Sequence, residues 1–501
     1  MKLKTLLPSL QNSRADGTSA VRLTLFGAED AEISGICLDS RRVQRGDLFA
    51  ALPGIETHGL QFLAEAEQAG AAAILSNQKV ETELPLLVAE NPRLALALIG
   101  NEFYDSPSRK LKLIGVTGTN GKTTVAFLLR SMFKEANIAC GLIGTIHYSG
   151  ERFSKTATHT TPESPELQKL LHRLVQERSG ACAMEVSSQG LDQFRVAGCT
   201  FETAVFTNLT HEHLDYHKTM DDYFRAKMML FDNQTCITNQ TVSNFDDPYG
   251  KKLIEIRNRI SLPNVSYGFE EGADFRIQNW STSIKGSEMT IAYQGKERRI
   301  KTALMGQYNL HNICAAFAVA VINGLPEKAI LAGIKNMSYV PGRMEEVDFD
   351  QPFKIIIDYA HTHDAFRQLL PTLRLYTAKR IIHIFGCRGG KDKSKRPKMG
   401  KVAGELGDIV VLTSDNPKNE DPDKIAEQVK VGLEASGNRN YHVILDRAEA
   451  ISFAVSIAEP GDTIVITGKG NETYQLIGNK KYPFDERELF LAAVQHAYAG
   501  R

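Results

Sequence analysis

The alternation of apolar and polar positions changes character along the chain. Up to about residue 110 the apolar runs are short and mixed: "EISGICLDS" and "GDLFAAL" predict strands, and the alanine-rich "LQFLAEAEQAGAAAIL" predicts a helix followed by a strand. A polar "YDSPSRK" then leads into "LKLIGVTGTNGKTTVAFLLRSMF", which reads as strand, glycine loop and helix, so a domain starts near Lys110. "GACAMEVSSQG" is a second apolar strand ending in an acid. The run from "TVSNFDDPYGKK" to "KERRI" predicts a few antiparallel strands, and "GQYNLHNICAAFAVAVING" predicts a helix after a polar loop. Pro341 and Gly342 in "YVPGRMEEV" mark the next boundary. Beyond it, "FKIIIDYAH", "RIIHIFGCRGG", "GDIVVLTSDNP" and "GDTIVITGKGNE" are short buried strands that each run into polar residues, with helical patterns between them. That is the pattern of a doubly wound parallel sheet, whose ligands sit at the carboxyl ends of the strands. The expectation is an α/β protein of three domains, over residues 1–109, 110–340 and 341–501.

One helical stripe breaks its own pattern. In "TMDDYFRAKMMLFDN", Met220, Tyr223, Phe224, Lys227, Met228 and Phe231 fall on one face at helical spacing. All are apolar or aromatic except Lys227. An unpartnered buried ammonium is costly, and the remedies are snorkelling off the helix edge or a lowered pKa.

Composition narrows the class. The chain has 501 residues and is 42% hydrophobic, enough for several cores. Lys+Arg and Asp+Glu both number 59, and this balance points to no nucleic-acid or membrane-surface partner. The seven cysteines include no CxxC pair, so neither a zinc site nor a disulfide framework is expected. Pro8 and the polar run after it interrupt any signal-peptide core, and no apolar run spans a bilayer. A cytoplasmic protein with no membrane insertion is expected.

"GTNGKTT", between a strand and a helix, has the context of a phosphate loop. Backbone N–H groups of Gly118, Thr119, Asn120, Gly121 and Thr124 and the helix N-terminus would cradle phosphates. Lys122 would reach the terminal ones, and Thr123 would hold magnesium. The strict pattern asks for glycine where this chain has Val116, so the loop is a variant. Glu185 closes the second strand, where a magnesium-coordinating acid belongs. Kinase, motor ATPase and ligase all remain open at this point.

Taken with "MEVSSQGLDQFRV", "TNLTHEHLDYH", "AKMMLF", "GRMEEV" and "DYAHT", the loop resembles the Mur ligases, ATP-dependent amide-forming enzymes of cell-wall precursor synthesis. The resemblance runs from "LDSRRVQRGDLFAALPG" to "GKGNETYQ", nearly the whole chain. It is strongest to the members that add the third amino acid to UDP-N-acetylmuramoyl-L-alanyl-D-glutamate. It implies an N-terminal UDP-binding domain, a central ATPase with a parallel sheet, and a C-terminal Rossmann-like domain. It implies that Lys227 is carbamylated, becoming an anion beside a metal cation. His213 would be a further magnesium ligand alongside Thr123 and Glu185. The same resemblance puts Asn309, His311, Arg343, Asp358 and His361 at the nucleotide. Leu38, Ser40, Thr160, Thr161, Ser187, Gln193 and Arg195 would hold the UDP-muramyl-dipeptide. Lys391, Asp415, Asn416, Pro417, Lys418, Gly468 and Glu472 would hold the amino acid. Magnesium and ATP are the implied cofactor and co-substrate, and the chain would act as a monomer.

The chain departs from the family pattern in places. His363 stands where proline is usual, and Arg388 and Gly390 stand where a glycine and an acid or amide are usual. Lys391 and Lys418 replace arginines. Lys418 keeps the positive charge and loses the planar fork. It would repel the side-chain ammonium of L-lysine and attract the distal carboxylate of meso-diaminopimelate, so the latter is the expected substrate and L-lysine the second. Glu472 suits an amino group, which both have. The rival readings are another ligase of the superfamily, such as a folylpolyglutamate synthase, and a non-catalytic nucleotide-binding scaffold. The "LDSRRVQRGDLF" segment speaks against the first. Intact Lys122, Glu185, His213 and Lys227 speak against the second.

Overall fold

The computed structural model describes residues 1–6, 21–54, 57–283 and 286–498. Pro8, on which the signal-peptide argument turned, lies outside the described residues. Three large sheets organise the chain.

The first sheet has five strands, in the order Leu23–Phe26, Leu86–Ala89, Ala73–Ser76, Asp47–Ala50, Gly35–Cys37. Only the Leu23–Phe26 edge is antiparallel. The alanine-rich stretch forms the short helix Leu63–Gln68 and then the strand Ala73–Ser76, as its pattern predicts.

The second sheet has eleven strands. Its centre is the strand Lys112–Thr117, flanked in parallel by Ala181–Glu185 and Thr200–Phe206. These inner strands are buried on both faces and accordingly read as continuous apolar runs. The helix Lys122–Glu135 packs on one face with Gln307–Ile322, which is apolar from Ile313 onward, and the helix Met220–Met228 packs on the other. Two expectations are corrected here. The stretch from Thr241 is not all antiparallel: Ile237–Asn244 and Asn264–Gly268 are parallel strands joined by the helix Pro248–Arg259. Asp247 caps that helix and Pro248 opens it, a start signal that strand alternation obscures. The antiparallel strands begin only with the pairing of Phe275–Ser283 and Gly286–Tyr293. The lysine-bearing helix also ends at Met228, so Phe231 reaches the core from the turn that follows.

The third sheet has six strands, in the order Glu345–Val347, Lys354–Asp358, Thr463–Thr467, Ile381–Phe385, Ile409–Leu412, Tyr441–Val443. All pairs after the first are parallel. The chain leaves Asp358, returns at Ile381 two places away, and later inserts Thr463–Thr467 between them. That reversal places polar loops at the carboxyl ends of adjacent strands. Among the described residues no helix is long and apolar enough to cross a membrane.

The core of this last sheet contains a titratable group. His383 is fully buried, shares a 3.0 Å hydrogen bond with Thr467 Oγ1, and lies against Phe366 and Phe385. Burial, with Arg447 nearby, pushes the ring down to about 3 from its ordinary 6.5. The unfolded chain therefore binds a proton that the native one refuses, and the stability this group contributes above pH 6.5 is lost as pH falls toward about 3. His383→Gln should reduce the acid sensitivity of folding in that window. Urea midpoints of wild type and variant, compared at neutral pH and at pH near 5, measure it; an identical drop in both proteins would contradict the argument.

Candidate active site

The phosphate loop leaves the central strand at Thr117 and turns through Gly118 (φ 148°) and Gly121 (φ 90°) into the helix beginning at Lys122. A Cβ on Gly118 would lie 1.9 Å from Thr207 Oγ1, so only glycine lets the loop lie against the neighbouring strand end. No side chain caps the helix, and its first N–H groups face a cleft. Lys122 Nζ meanwhile donates to the carbonyls of Gly118 (2.8 Å) and Thr119 (2.9 Å).

Glu185 is buried at the end of the next strand. Its Oε2 accepts from Thr123 Oγ1 at 2.9 Å and from Thr145 Oγ1 at 3.0 Å, and its Oε1 accepts from Thr145 N at 2.9 Å. Thr160 meets Thr145 Oγ1 at 3.1 Å. Thr161 donates to Glu185 O at 3.0 Å and stands 3.1 Å from Ser187 Oγ. Arg195 donates to Thr161 O and to Gln193 Oε1, both at 2.7 Å, and pairs with Glu163 at 2.8 Å. Glu163 also meets Arg93 from the N-terminal part of the chain at 3.3 Å. Thr160, Thr161, Ser187, Gln193 and Arg195 thus form one polar wall next to Glu185. Ser40 lies apart on the first sheet's side, donating to Glu65 at 2.6 Å, and Leu38 beside it is half-buried.

Lys227 is 1% exposed. Its Nζ donates to Gly118 O at 3.0 Å and sits 4.6 Å from the centroid of the Tyr223 ring. Among the described residues no carboxylate lies within 4.0 Å of it. Burial, reinforced by the Lys122 cation, holds the amine well below its ordinary 10.5. It does not snorkel. His213, in the left-handed region at φ 58°, is pushed down to about 4 by burial and by Lys122, Lys227 and Lys391.

The C-terminal part reaches into this site. Arg343 donates to Thr123 Oγ1 at 3.3 Å. His361 Nε2 stands 2.6 Å from Glu212 Oε1, and Lys395 donates to His361 O at 3.0 Å. Burial alone would raise the Glu212 carboxyl, but His213, His361 and Lys395 together hold it well below the usual range. Asp358 accepts from the Met344 and Ala360 N–H groups, both at 2.7 Å. Together with Asn120, Thr124, Asn309, Asn312 and Arg343 it lines a cleft of about 670 Å³, partly open to solvent. His311 does not line this cleft; it meets Asp246 at 2.7 Å and the edge of Phe269.

Two participants, Asn312 and Glu212, escaped the sequence reading, and the partners of a third, Arg388, were not foreseen there. Asn312 donates to Asn309 at 3.0 Å, and its spacing of three on one helix was the available signal. Glu212 sits beside His213 in "HEH". Arg388 bonds Glu472 at 2.7 Å, a contact between distant segments that no local pattern announces. The departures find simple places. His363 follows the N-cap Thr362, at the first helical position, where a proline would fit equally well. Gly390 adopts φ 64° and donates to Glu420. Asp415 and Asn416 are buried at the end of Ile409–Leu412, Pro417 packs against Gly389, and Gly468 turns with φ 111° beside Asp415. Lys418 adopts φ 54°, and it and Lys391 are half-buried.

A magnesium ion suits the oxygen pair Thr123–Glu185. Among the described residues no group of three or more His, Cys, Asp or Glu could hold a metal. Such an ion would therefore lean on nucleotide phosphates and on an anion in place of the Lys227 amine.

Known proteins match this chain along most of its length. The model of the Mur ligase family catalytic domain matches residues 32–103, the Mur ligase middle domain 116–320, and the Mur ligase glutamate ligase domain 342–470. A UDP-N-acetylmuramoyl-L-alanyl-D-glutamate–2,6-diaminopimelate ligase of Clostridium acetobutylicum is 40% identical over 472 residues, 93% of this chain and 95% of that one. The enzyme of the same name from Nostoc sp. is 41% identical over 473 residues, 93% of this chain and 95% of that one. A solved structure bearing that name has a TM-score of 0.65 at 32% identity, over 93% of this chain and 95% of that chain. With relatives this similar over nearly its full length, the chain belongs to the Mur ligase family.

Proposed function

We propose that this ATP-dependent ligase joins meso-diaminopimelate to the D-glutamyl side chain of UDP-N-acetylmuramoyl-L-alanyl-D-glutamate. It works as a cytoplasmic monomer with domains over residues 1–109, 110–340 and 341–501. The observation that carries this reading is the meeting of segments at the phosphate loop. The loop's free helix end, the buried amine of Lys227 and the Arg343 and His361 side chains of the C-terminal part all converge there.

The chemistry follows from that placement. ATP lies in the cleft between Asn309 and Asp358, with its phosphates on the Gly118–Thr124 backbone. Lys122 exchanges its two carbonyl bonds for the terminal phosphates, and Arg343 adds a second cation there. The dipeptide lies along the wall formed by Thr160, Thr161, Ser187, Gln193 and Arg195, and Ser40 holds its UDP end. Its carboxylate oxygen attacks the γ-phosphorus, the bond to ADP breaks, and an acyl phosphate forms. The neutral amine of the third substrate attacks the acyl carbon, phosphate leaves, and the amine gives up a proton. The Lys227 amine, whose pKa burial lowers, adds in its neutral form to carbon dioxide and loses a proton, which leaves a carbamate. Thr123, Glu185, His213 and that carbamate would hold magnesium, which supplies Lewis-acid stabilisation of the transferring charge when bound.

Phosphate release that requires both UDP-N-acetylmuramoyl-L-alanyl-D-glutamate and an amino acid tests the assignment. Borohydride trapping of the acyl phosphate tests the order of steps. Lys227→Ala should lower turnover at least about 100-fold, the scale of losing a charge-stabilising group. Bicarbonate should not restore it, and a short carboxylic acid should restore part. Full activity in the variant would refute the carbamate. Lys418→Ala should raise the Michaelis constant for meso-diaminopimelate about tenfold, the scale of one charge-assisted hydrogen bond. Lys418→Arg should lower it. No change in either would remove Lys418 from the amino-acid site.

A further inference from the structure

At the carboxyl ends of the C-terminal strands, three acceptors converge on one guanidinium. Arg388 Nη2 donates to Gly468 O at 2.9 Å and to Glu472 Oε1 at 2.7 Å, and its Nε stands 3.5 Å from Asp415 Oδ2. The other Glu472 oxygen is taken too, by Asn416 Nδ2 at 2.9 Å and by Lys469 Nζ at 3.5 Å. The Tyr359 ring lies 5.3 Å from the guanidinium carbon. The cluster is enclosed: the Arg388 side chain is 17% exposed and that of Asp415 is wholly buried. Asp415 still receives no hydrogen bond on either oxygen.

A backbone carbonyl and two carboxylates around one point make a cation site. A diamino acid bound in this part of the domain would offer its distal ammonium to such a set. Here the chain supplies the cation itself, at a position where glycine would leave the acceptors open. The other charges facing the loop are of the opposite use. Lys391 and Lys418 are half-buried, and among the described residues neither forms an ion pair with a carboxylate. They remain free to meet an anion.

We infer that Arg388 is a specificity-determining residue that takes the place of the distal ammonium of the incoming amino acid. The chain therefore reads that substrate's distal carboxylate and ignores its distal amine. This rests on the ligase reading above and narrows its third substrate to α-amino acids with a distal carboxylate, the second amine being optional. meso-Diaminopimelate enters with its distal amine unbonded to Glu472. 2-Aminopimelate, the same chain without that amine, loses no contact. L-Lysine brings only an ammonium toward a guanidinium and two lysines, and is refused.

The test is kcat/KM by phosphate release with ATP, UDP-N-acetylmuramoyl-L-alanyl-D-glutamate and each of these amino acids, for wild type and Arg388→Gly. The wild type should favour meso-diaminopimelate over 2-aminopimelate by less than about tenfold, since no charge-assisted hydrogen bond is at stake. Arg388→Gly frees Gly468 O, Glu472 and Asp415, and should raise that preference by at least about tenfold. A wild-type preference above about tenfold, a value that needs no variant to fold, overturns the inference and leaves the ligase reading intact. An unchanged ratio in a folded Arg388→Gly also overturns it. Absence of phosphate release with every amino acid, together with no trapped acyl phosphate, would overturn the ligase reading and the inference with it.

Discussion

A primary amine that is buried and, among the described residues, has no carboxylate within 4.0 Å is the constraint around which this site is built. Burial and the Lys122 cation hold the Lys227 amine well below its ordinary 10.5, and the surroundings must be made to do so. Its helix is fixed by the Thr219 cap, whose oxygen accepts from Asp222 N at 3.1 Å, and by Tyr223 and Phe224 in the core. The one strong acceptor offered to the amine is the Gly118 carbonyl. That carbonyl can face it only because Gly118 has a positive φ and no Cβ against Thr207. The conformation that bares the helix N-terminus for phosphate thus also presents the acceptor to the amine.

The second link is between sheets. Glu212 is a buried carboxylate that would be costly alone, and part of its compensation comes from the far side of the chain, through His361 and Lys395. The central loop is therefore fully satisfied only when the C-terminal part is docked on it. Arg343 makes the same connection at Thr123. Docking and the completion of the nucleotide cleft are one event in this arrangement.

Local features of both fold and site were legible in the sequence. The phosphate loop, the strand ends and the misplaced lysine of an apolar stripe are each encoded within a few residues, where period and turn chemistry act. The Thr241–Arg259 stretch was misread in two respects: Ile237–Asn244 is a strand but its partner Asn264–Gly268 is parallel, and the Asp247–Pro248 helix start after it was passed over. His311, which its motif places at the nucleotide, is held by Asp246, 65 positions away, a contact that the motif does not announce. Glu212 with His361 and Arg388 with Glu472 are likewise pairs between distant segments, and no local pattern brings them together.

Arg388 shows how such a pair alters the meaning of a residue already identified. By type, Glu472 is an acceptor for an amine, and sequence alone supplies no competitor. In the fold both of its oxygens are engaged, by Arg388, Asn416 and Lys469. A glycine in place of Arg388 would leave two buried or half-buried carboxylates, Glu472 and Asp415, in need of compensation beyond what Asn416, Lys469 and Arg447 provide, and only ligand or water could supply it. With arginine the compensation is permanent. If this cluster receives the amino acid, as proposed above, the pocket is then stable without it, and the binding energy that an ammonium would have drawn from these acceptors is no longer there to be used. On that reading, what remains for recognition is the cationic side of the pocket, where among the described residues neither Lys391 nor Lys418 forms an ion pair with a carboxylate.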